Sequence, residues 1–255
     1  MIDAVDANAP WFRCVYARPH ARRRLFCIPS AGRGAAMYAA WPPAVADRSI
    51  EIHAIQSPGR EARIHEPPCD DLATMVGLLG EAIAPLLDRP YAFFGHSFGA
   101  FVAFALARHL CDRGCVPPAH LFCAGAMAPH LPSRAPVLHR IQPNEAFLRA
   151  VQTTYGGIPD VVIDNHELGS VVARALRADL RMAESARPAP SALPVDVTAY
   201  GGTRDRWVSK EDLSAWSAYS SRRFSCSMFE GDHFFVDVVR QELLEDIMRR
   251  LDAYL

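Results

Sequence analysis

Gly95-His96-Ser97-Phe98-Gly99 is the stretch of this 255-residue chain best suited to covalent chemistry. A serine hydroxyl is a poor nucleophile near neutral pH. It needs a base to take its proton and a carboxylate to hold that base in the right tautomer. The G-x-S-x-G form supplies a nucleophile on a sharp turn, where side chains two residues to either side of Ser97 would collide and glycine stands at both places. Two further stretches offer partners: Asp205, after the run Val195–Tyr200, and His233, in Glu230-Gly231-Asp232-His233-Phe234-Phe235. Asp196 and Asp232 are the competing carboxylates. Asp196 lies inside a predicted strand, and Asp232 points elsewhere if its neighbour His233 points inward. His96 is read as packing around the turn. A tetrahedral intermediate would need two N–H donors for its oxygen. Phe98, the residue after the nucleophile, is one candidate, and Ala31, in the loop Pro29-Ser30-Ala31-Gly32-Arg33-Gly34, is the other.

These residues are useful only if regular elements bring them together. Tyr91 to Phe94 reads as a short buried strand, and Ala100 to Leu110, free of glycine and proline, as a packed helix. Leu25–Ile28, Ile50–Ile55, Leu121–Ala124, Val195–Tyr200 and Phe224–Phe229 read as further strands. Asp70 or Asp71 caps a helix running to about Leu87, Ser209 with Asp212 resembles a capping box for a helix to about Tyr219, and Val236 to Leu255 reads as a closing amphipathic helix. Strands alternating with helices predict an α/β chain with a mainly parallel central sheet and helices on both faces. Ligands of such sheets bind outside the carboxyl ends of the strands, where Ser97, Asp205, His233 and the Pro29–Gly34 loop all fall. Residues 1–20 read as an irregular lead-in and Arg22-Arg23-Arg24 as a solvated strand entry. Between about Pro132 and Pro188 strand signals vanish. Glu145–Tyr155 and about His166–Ala186 read as helices, the second with Leu168, Val171, Val172, Leu176 and Leu180 on one face. This helical insertion, about 132–188, is expected to be a lid within one domain spanning 1–255, with its Leu168–Leu180 face lining a pocket.

A net charge of −1 leaves no footprint for nucleic acid and no general attraction to anionic membranes. The acidic start Met1–Asp6 lacks the regions of a signal peptide, and no apolar run approaches the roughly 20 residues a membrane span requires. Seven cysteines, odd in number and irregular in spacing, fit reduced thiols in the cytoplasm. Cys111 and Cys115, with His109 nearby, have no second ligand pair and read as two thiols on a helix, so no metal is expected.

The order Ser97, Asp205, His233 is that of α/β-hydrolases. The chain also resembles the type II thioesterases, stand-alone α/β-hydrolases that accompany non-ribosomal peptide and polyketide synthases. Leu25–Gly32 is similar to the family's oxyanion loop, and Ser57-Pro58-Gly59-Arg60-Glu61-Ala62-Arg63 to its P-G-R-E-x-R segment. Gly95–Gly99 matches its elbow, Leu176-Arg177-Ala178-Asp179-Leu180 resembles part of its lid, and Gly231–Phe235 its histidine loop. Arg33-Gly34 departs from the pattern, where the family more often has glycine and then a small residue. The resemblance implies a serine thioesterase that frees acyl groups from the phosphopantetheine arm of carrier proteins, acting as a monomer without a cofactor. A product-releasing thioesterase or cyclase, a general carboxylesterase and a non-catalytic binding protein on the same scaffold are the alternatives.

Overall fold

Leu25, Phe26, Cys27 and Ile28 are all buried because the strand they form is covered on both faces. The computed structural model describes residues 11–14, 17–45, 49–185 and 190–252. Among these residues one sheet has the order β1-β3-β2-β4-β5-β6-β7. Its strands are β1 (Phe12–Arg13), β2 (Arg23–Ile28), β3 (Ile50–Ile55), β4 (Tyr91–His96), β5 (His120–Ala124), β6 (Asp196–Gly202) and β7 (Phe224–Phe229). All neighbours are parallel except β1 and β3, where Phe12 faces Ile55.

Side chains alternate between two cores, as the pleat requires. Phe26, Ile28 and Phe93 pack with helices α2 (Leu72–Ile83) and α3 (Phe98–Asp112). Leu25, Cys27 and Phe94 pack against α1 (Trp41–Ala44) and α9 (Arg240–Asp252) on the other face. Between β5 and β6 come α4 (Asn144–Tyr155), α5 (Asp160–Asp164) and α6 (His166–Ser185), which share a third core that includes Phe147, Leu148, Ile163 and Leu176. After β6, α7 (Lys210–Ser214) is opened by the Ser209–Asp212 capping box. None of the described helices is long and apolar enough to cross a membrane. The mainly parallel sheet covered on both faces is the α/β-hydrolase arrangement expected from the sequence.

The structure corrects several details. Phe12 and Arg13 form an edge strand rather than irregular chain, because Trp11 and Phe12 bury their rings against the sheet core. Residues 1–10 lie outside the described residues, as do Ala186, Pro188 and Leu255, the limits of predicted elements. The helix capped by Asp71 stops at Ile83 and tightens into a 3₁₀ turn over Ala84–Leu86. The closing helix breaks at Val239 into α8 (Phe235–Val238) and α9. α5 was not visible in the sequence, being too short for a period to register.

The basic run is not solvated throughout. Arg22 is exposed, but Arg23 and Arg24 are buried. Arg23 reaches Asp252 of α9 at 3.0 Å, and Arg24 bonds Glu51 at 2.9 Å and also Asp88. Acidic residues converge on these arginines from three segments far apart in sequence. Burial pushes the Glu51 carboxyl up, but hydrogen bonds from His53, Arg24 and the Arg18 amide more than reverse this and hold it at about 2, against an ordinary 4.5. A carboxyl depressed in this way adds stability above its unfolded value and loses it as pH falls toward its folded one. Glu51→Gln is therefore expected to lower the melting temperature at pH 7, with the gap to wild type closing between about pH 5 and 2. Thermal unfolding across that range checks it, and a gap that is constant with pH would refute the linkage.

Candidate active site

Ser97 sits between β4 and α3 with φ 54° and ψ −118°, a strained conformation held by its surroundings. A Cβ on Gly95 would lie 2.2 Å from the Gly99 carbonyl oxygen, and one on Gly99 would lie 2.2 Å from that of Ile28. Only glycine at both places lets the turn close against itself and against β2. The Ser97 amide donates to the Ala124 carbonyl at 2.7 Å, fixing the turn to β5.

The sheet order brings the exits of β4, β6 and β7 to the same edge, with β5 lying between β4 and β6. His233 Nε2 lies 3.0 Å from Ser97 Oγ, and His233 Nδ1 lies 2.8 Å from Asp205 Oδ2. The carboxylate can only accept, so Nδ1 carries the proton and Nε2 faces the serine as an acceptor. The Asp205 side chain is fully buried. Its other oxygen accepts the Trp207 amide at 2.9 Å and the Val208 amide at 3.3 Å, so the loop's own backbone fixes the carboxylate's orientation. The rival acids are engaged elsewhere: Asp196 pairs with Arg223 at 2.8 Å, and Asp232 accepts the Phe234 amide at 2.8 Å.

His96 is more than packing. It is completely buried, and its Nε2 lies 2.8 Å from the backbone carbonyl of His233. Burial, then the neighbouring His233, depress its pKa to about 3, so the ring is neutral. A carbonyl only accepts, so the ring proton is on Nε2, and His96 holds the backbone that carries His233. Sequence pattern offered no signal for this long-range bond.

Ala31 and Phe98 stand at the exit of β2 and the first turn of α3. Among the described residues neither backbone N–H has a protein acceptor. Both are therefore available to an anion, and at Phe98 the helix dipole adds to the attraction.

A cavity of about 220 Å³ opens beside Ser97 and His233, lined mainly by apolar groups including Phe101, Met127, Leu131, Val172, Leu176 and Leu180. Tyr155 and Trp207 complete one wall, and Trp207 Nε1 donates to the Thr154 carbonyl at 2.8 Å, tying α4 to the Asp205 loop. The predicted lining face of α6 is only partly right. Val172, Leu176, Leu180 and Ala183 border the cavity, whereas Leu168 is 51% exposed and Val171 faces a separate cleft. Leu168 is one turn before Val172, past the end of the cavity lining. None of the seven cysteines is in a disulfide. Cys14, Glu51 and His53 lie within 4.8 Å of one another at the far edge of the sheet, but Arg24, His53 and the Arg18 amide already satisfy the carboxylate.

A hydroxyl, an imidazole and a buried carboxylate in series, beside free N–H donors and an apolar pocket, suit acyl transfer through a serine ester. Comparison with known proteins leads to the same chemistry. A family model described as a thioesterase domain matches residues 23–253. The chain belongs to the thioesterase family. The thioesterase is 36% identical over 244 residues to the gramicidin S biosynthesis protein GrsT of Aneurinibacillus migulanus, covering 94% of this chain and 93% of that one. It is 32% identical over 244 residues to the medium-chain S-acyl fatty acid synthase thioesterase of Rattus norvegicus, covering 92% and 91%. The solved structure of BorB, the type II thioesterase from the borrelidin biosynthetic cluster, superposes with a TM-score of 0.83 at 30% identity, covering 95% of this thioesterase and 98% of BorB.

Proposed function

We propose that this thioesterase hydrolyses acyl thioesters held on the phosphopantetheine arm of carrier domains, as an editing enzyme of polyketide or non-ribosomal peptide assembly. The observation that carries this reading is the Ser97–His233–Asp205 series opening into an apolar pocket, in a chain similar over nearly its whole length to a type II thioesterase. Ser97 Oγ attacks the thioester carbonyl while His233 Nε2 takes its proton, and Asp205 holds the resulting imidazolium. The new oxyanion accepts the Ala31 and Phe98 N–H groups. Collapse breaks the C–S bond, and the departing sulfur takes the proton from His233. Water then attacks the acyl-serine while His233 takes its proton; the ester bond to Ser97 Oγ breaks, His233 returns the proton to Oγ, and the free acid leaves. Every proton and electron pair in this cycle is accounted for by the three side chains, the substrate and water, so no cofactor is required. A cytoplasmic enzyme that meets carrier domains there fits seven cysteines with no disulfide among them, and it is proposed to act as a monomer.

The helices between β5 and β6 serve in this reading as a lid whose inner face measures the acyl group. Mass spectrometry of carrier proteins loaded with a series of acyl groups would rank the substrates. It would also separate hydrolysis of many short or aberrant groups from release of one product. Val172 borders the acyl cavity and is half-buried. Val172→Trp is expected to depress turnover of long acyl groups at least tenfold while sparing acetyl, on a carrier protein and on a short soluble thiol alike. If all four rates fall equally, or none changes, the lid is packing alone. If no acyl carrier is hydrolysed while simple esters are, the substrate class is wrong.

A further inference from the structure

Arg60 and Asp179, from two motifs to which the triad chemistry assigns no task, meet behind the loop that carries Ala31. Arg60 Nη1 and Nη2 donate to the two oxygens of Asp179 at 2.5 and 3.0 Å, and the residues are 7% and 1% exposed. Asp179 lies on α6, seven residues after Val172 and three after Leu176, so helical spacing turns its charge toward the body of the protein. The same carboxylate accepts the Gly32 amide at 2.8 Å, and Arg60 Nη1 reaches the Arg33 carbonyl at 3.3 Å. The loop is thus held at two successive residues by one ion pair, half of which belongs to the helical insertion. Packing reinforces the contact. Gly32 has φ +76°, and a Cβ there would come within 3.0 Å of Leu176 Cδ1, so α6 rests directly on the loop.

Gly32 directly follows Ala31. Fixing the Gly32 amide fixes the peptide plane on one side of Ala31, which limits the directions in which the Ala31 N–H can point. Buried ion pairs contribute little net stability, because desolvation offsets their attraction. An oxyanion donor, by contrast, must be aimed before charge develops.

We propose that Asp179 is a positioning residue of the active site: through Gly32 it aims the Ala31 N–H, so that the oxyanion hole is complete only when α6 is seated with Asp179 on Arg60. The proposal rests on Ala31 being an oxyanion donor. It makes α6 part of the catalytic geometry as well as a wall of the pocket, and it ties the seating of the insertion to the rate of acyl transfer.

The test compares a tetrahedral and a ground-state mimic. An acyl trifluoromethyl ketone accepts Ser97 Oγ at its carbonyl carbon and turns its oxygen into an oxyanion, with the proton passing to His233. The corresponding acyl amide binds without that charge. In Asp179→Asn an amide replaces the carboxylate, so one of its two faces presents N–H groups to Arg60 or to Gly32. This variant should lower kcat for a soluble acetyl thioester about 10- to 100-fold, given that losing a whole donor costs on the order of 10²- to 10³-fold. Affinity for the trifluoromethyl ketone should fall by the same factor, while KM and the affinity for the amide stay within about twofold. The double variant Arg60→Met, Asp179→Leu replaces the ion pair with an apolar one that is compatible with folding. It should keep the wild-type melting temperature yet show the same selective loss, because Gly32 no longer has its acceptor. A merely structural role would lower the melting temperature or the active fraction without changing the ratio of the two affinities. A folded double variant with kcat and ketone affinity near wild type overturns the proposal. If the wild-type enzyme itself binds the ketone no tighter than the amide, the oxyanion reading fails and the proposal falls with it.

Discussion

Replacing Ser97 with alanine is expected to reduce turnover by roughly 10⁴- to 10⁶-fold. Such losses follow when one member of a series acting as a unit is removed and only oxyanion and binding contributions remain. The expectation rests on Ser97 Oγ standing 3.0 Å from His233 Nε2 at the mouth of the apolar cavity. Alanine keeps the backbone at φ 54° and leaves the close approach of Gly95 and Gly99 untouched, so the fold and melting temperature should change little. Rates on an acetyl thioester give the size of the effect. A fluorophosphonate should label wild type at Ser97 alone and leave the variant unlabelled. Labelling at another serine, or a variant retaining more than about one hundredth of wild-type turnover, would exclude Ser97 as the acylated residue.

Asp205→Asn should cost about 10⁴ in turnover through the histidine tautomer. The Asp205 carboxylate is sealed from solvent, and its second oxygen is held by the Trp207 and Val208 amides. An asparagine there keeps its oxygen toward those amides, so its NH₂ points at His233 Nδ1. That nitrogen must then accept, the ring proton moves to Nε2, and the base can no longer take a proton from Ser97. Asp232→Asn should leave turnover within a few fold of wild type, since its bond to the Phe234 amide survives in the amide form. Asp196→Asn weakens the link to Arg223 and should act on stability instead. Should Asp232→Asn or Asp196→Asn cripple turnover while Asp205→Asn spares it, the carboxylate is misassigned.

The sequence by itself determined what local chemistry can encode. The pattern of strands and helices required a mainly parallel sheet, and the G-x-S-x-G pentapeptide required a turn that only glycine at both ends can close. Chain order set Ser97, Asp205 and His233 at the exits of separate strands. Capping chemistry also reads locally, as at Ser209 and Asp212, because every participating group lies within one turn. What the tertiary structure decided is every relation between groups distant in the chain. The registers between β4, β5, β6 and β7 turned three strand exits into hydrogen bonds of 3.0 and 2.8 Å. Only the fold shows His96 gripping the His233 carbonyl, Arg23 and Arg24 drawn into the interior by acids from three segments, and Leu168 turning to solvent while Leu180, on the same stripe, borders the pocket. Periodicity reports that one face of a helix is apolar, and it is silent on what that face meets. Asp179 shows the boundary most sharply. A charge on the inward side of an amphipathic helix is legible as an anomaly in the sequence, but that it answers Arg60 and the Gly32 amide, 119 and 147 residues away, follows only from the packing of α6 onto the loop.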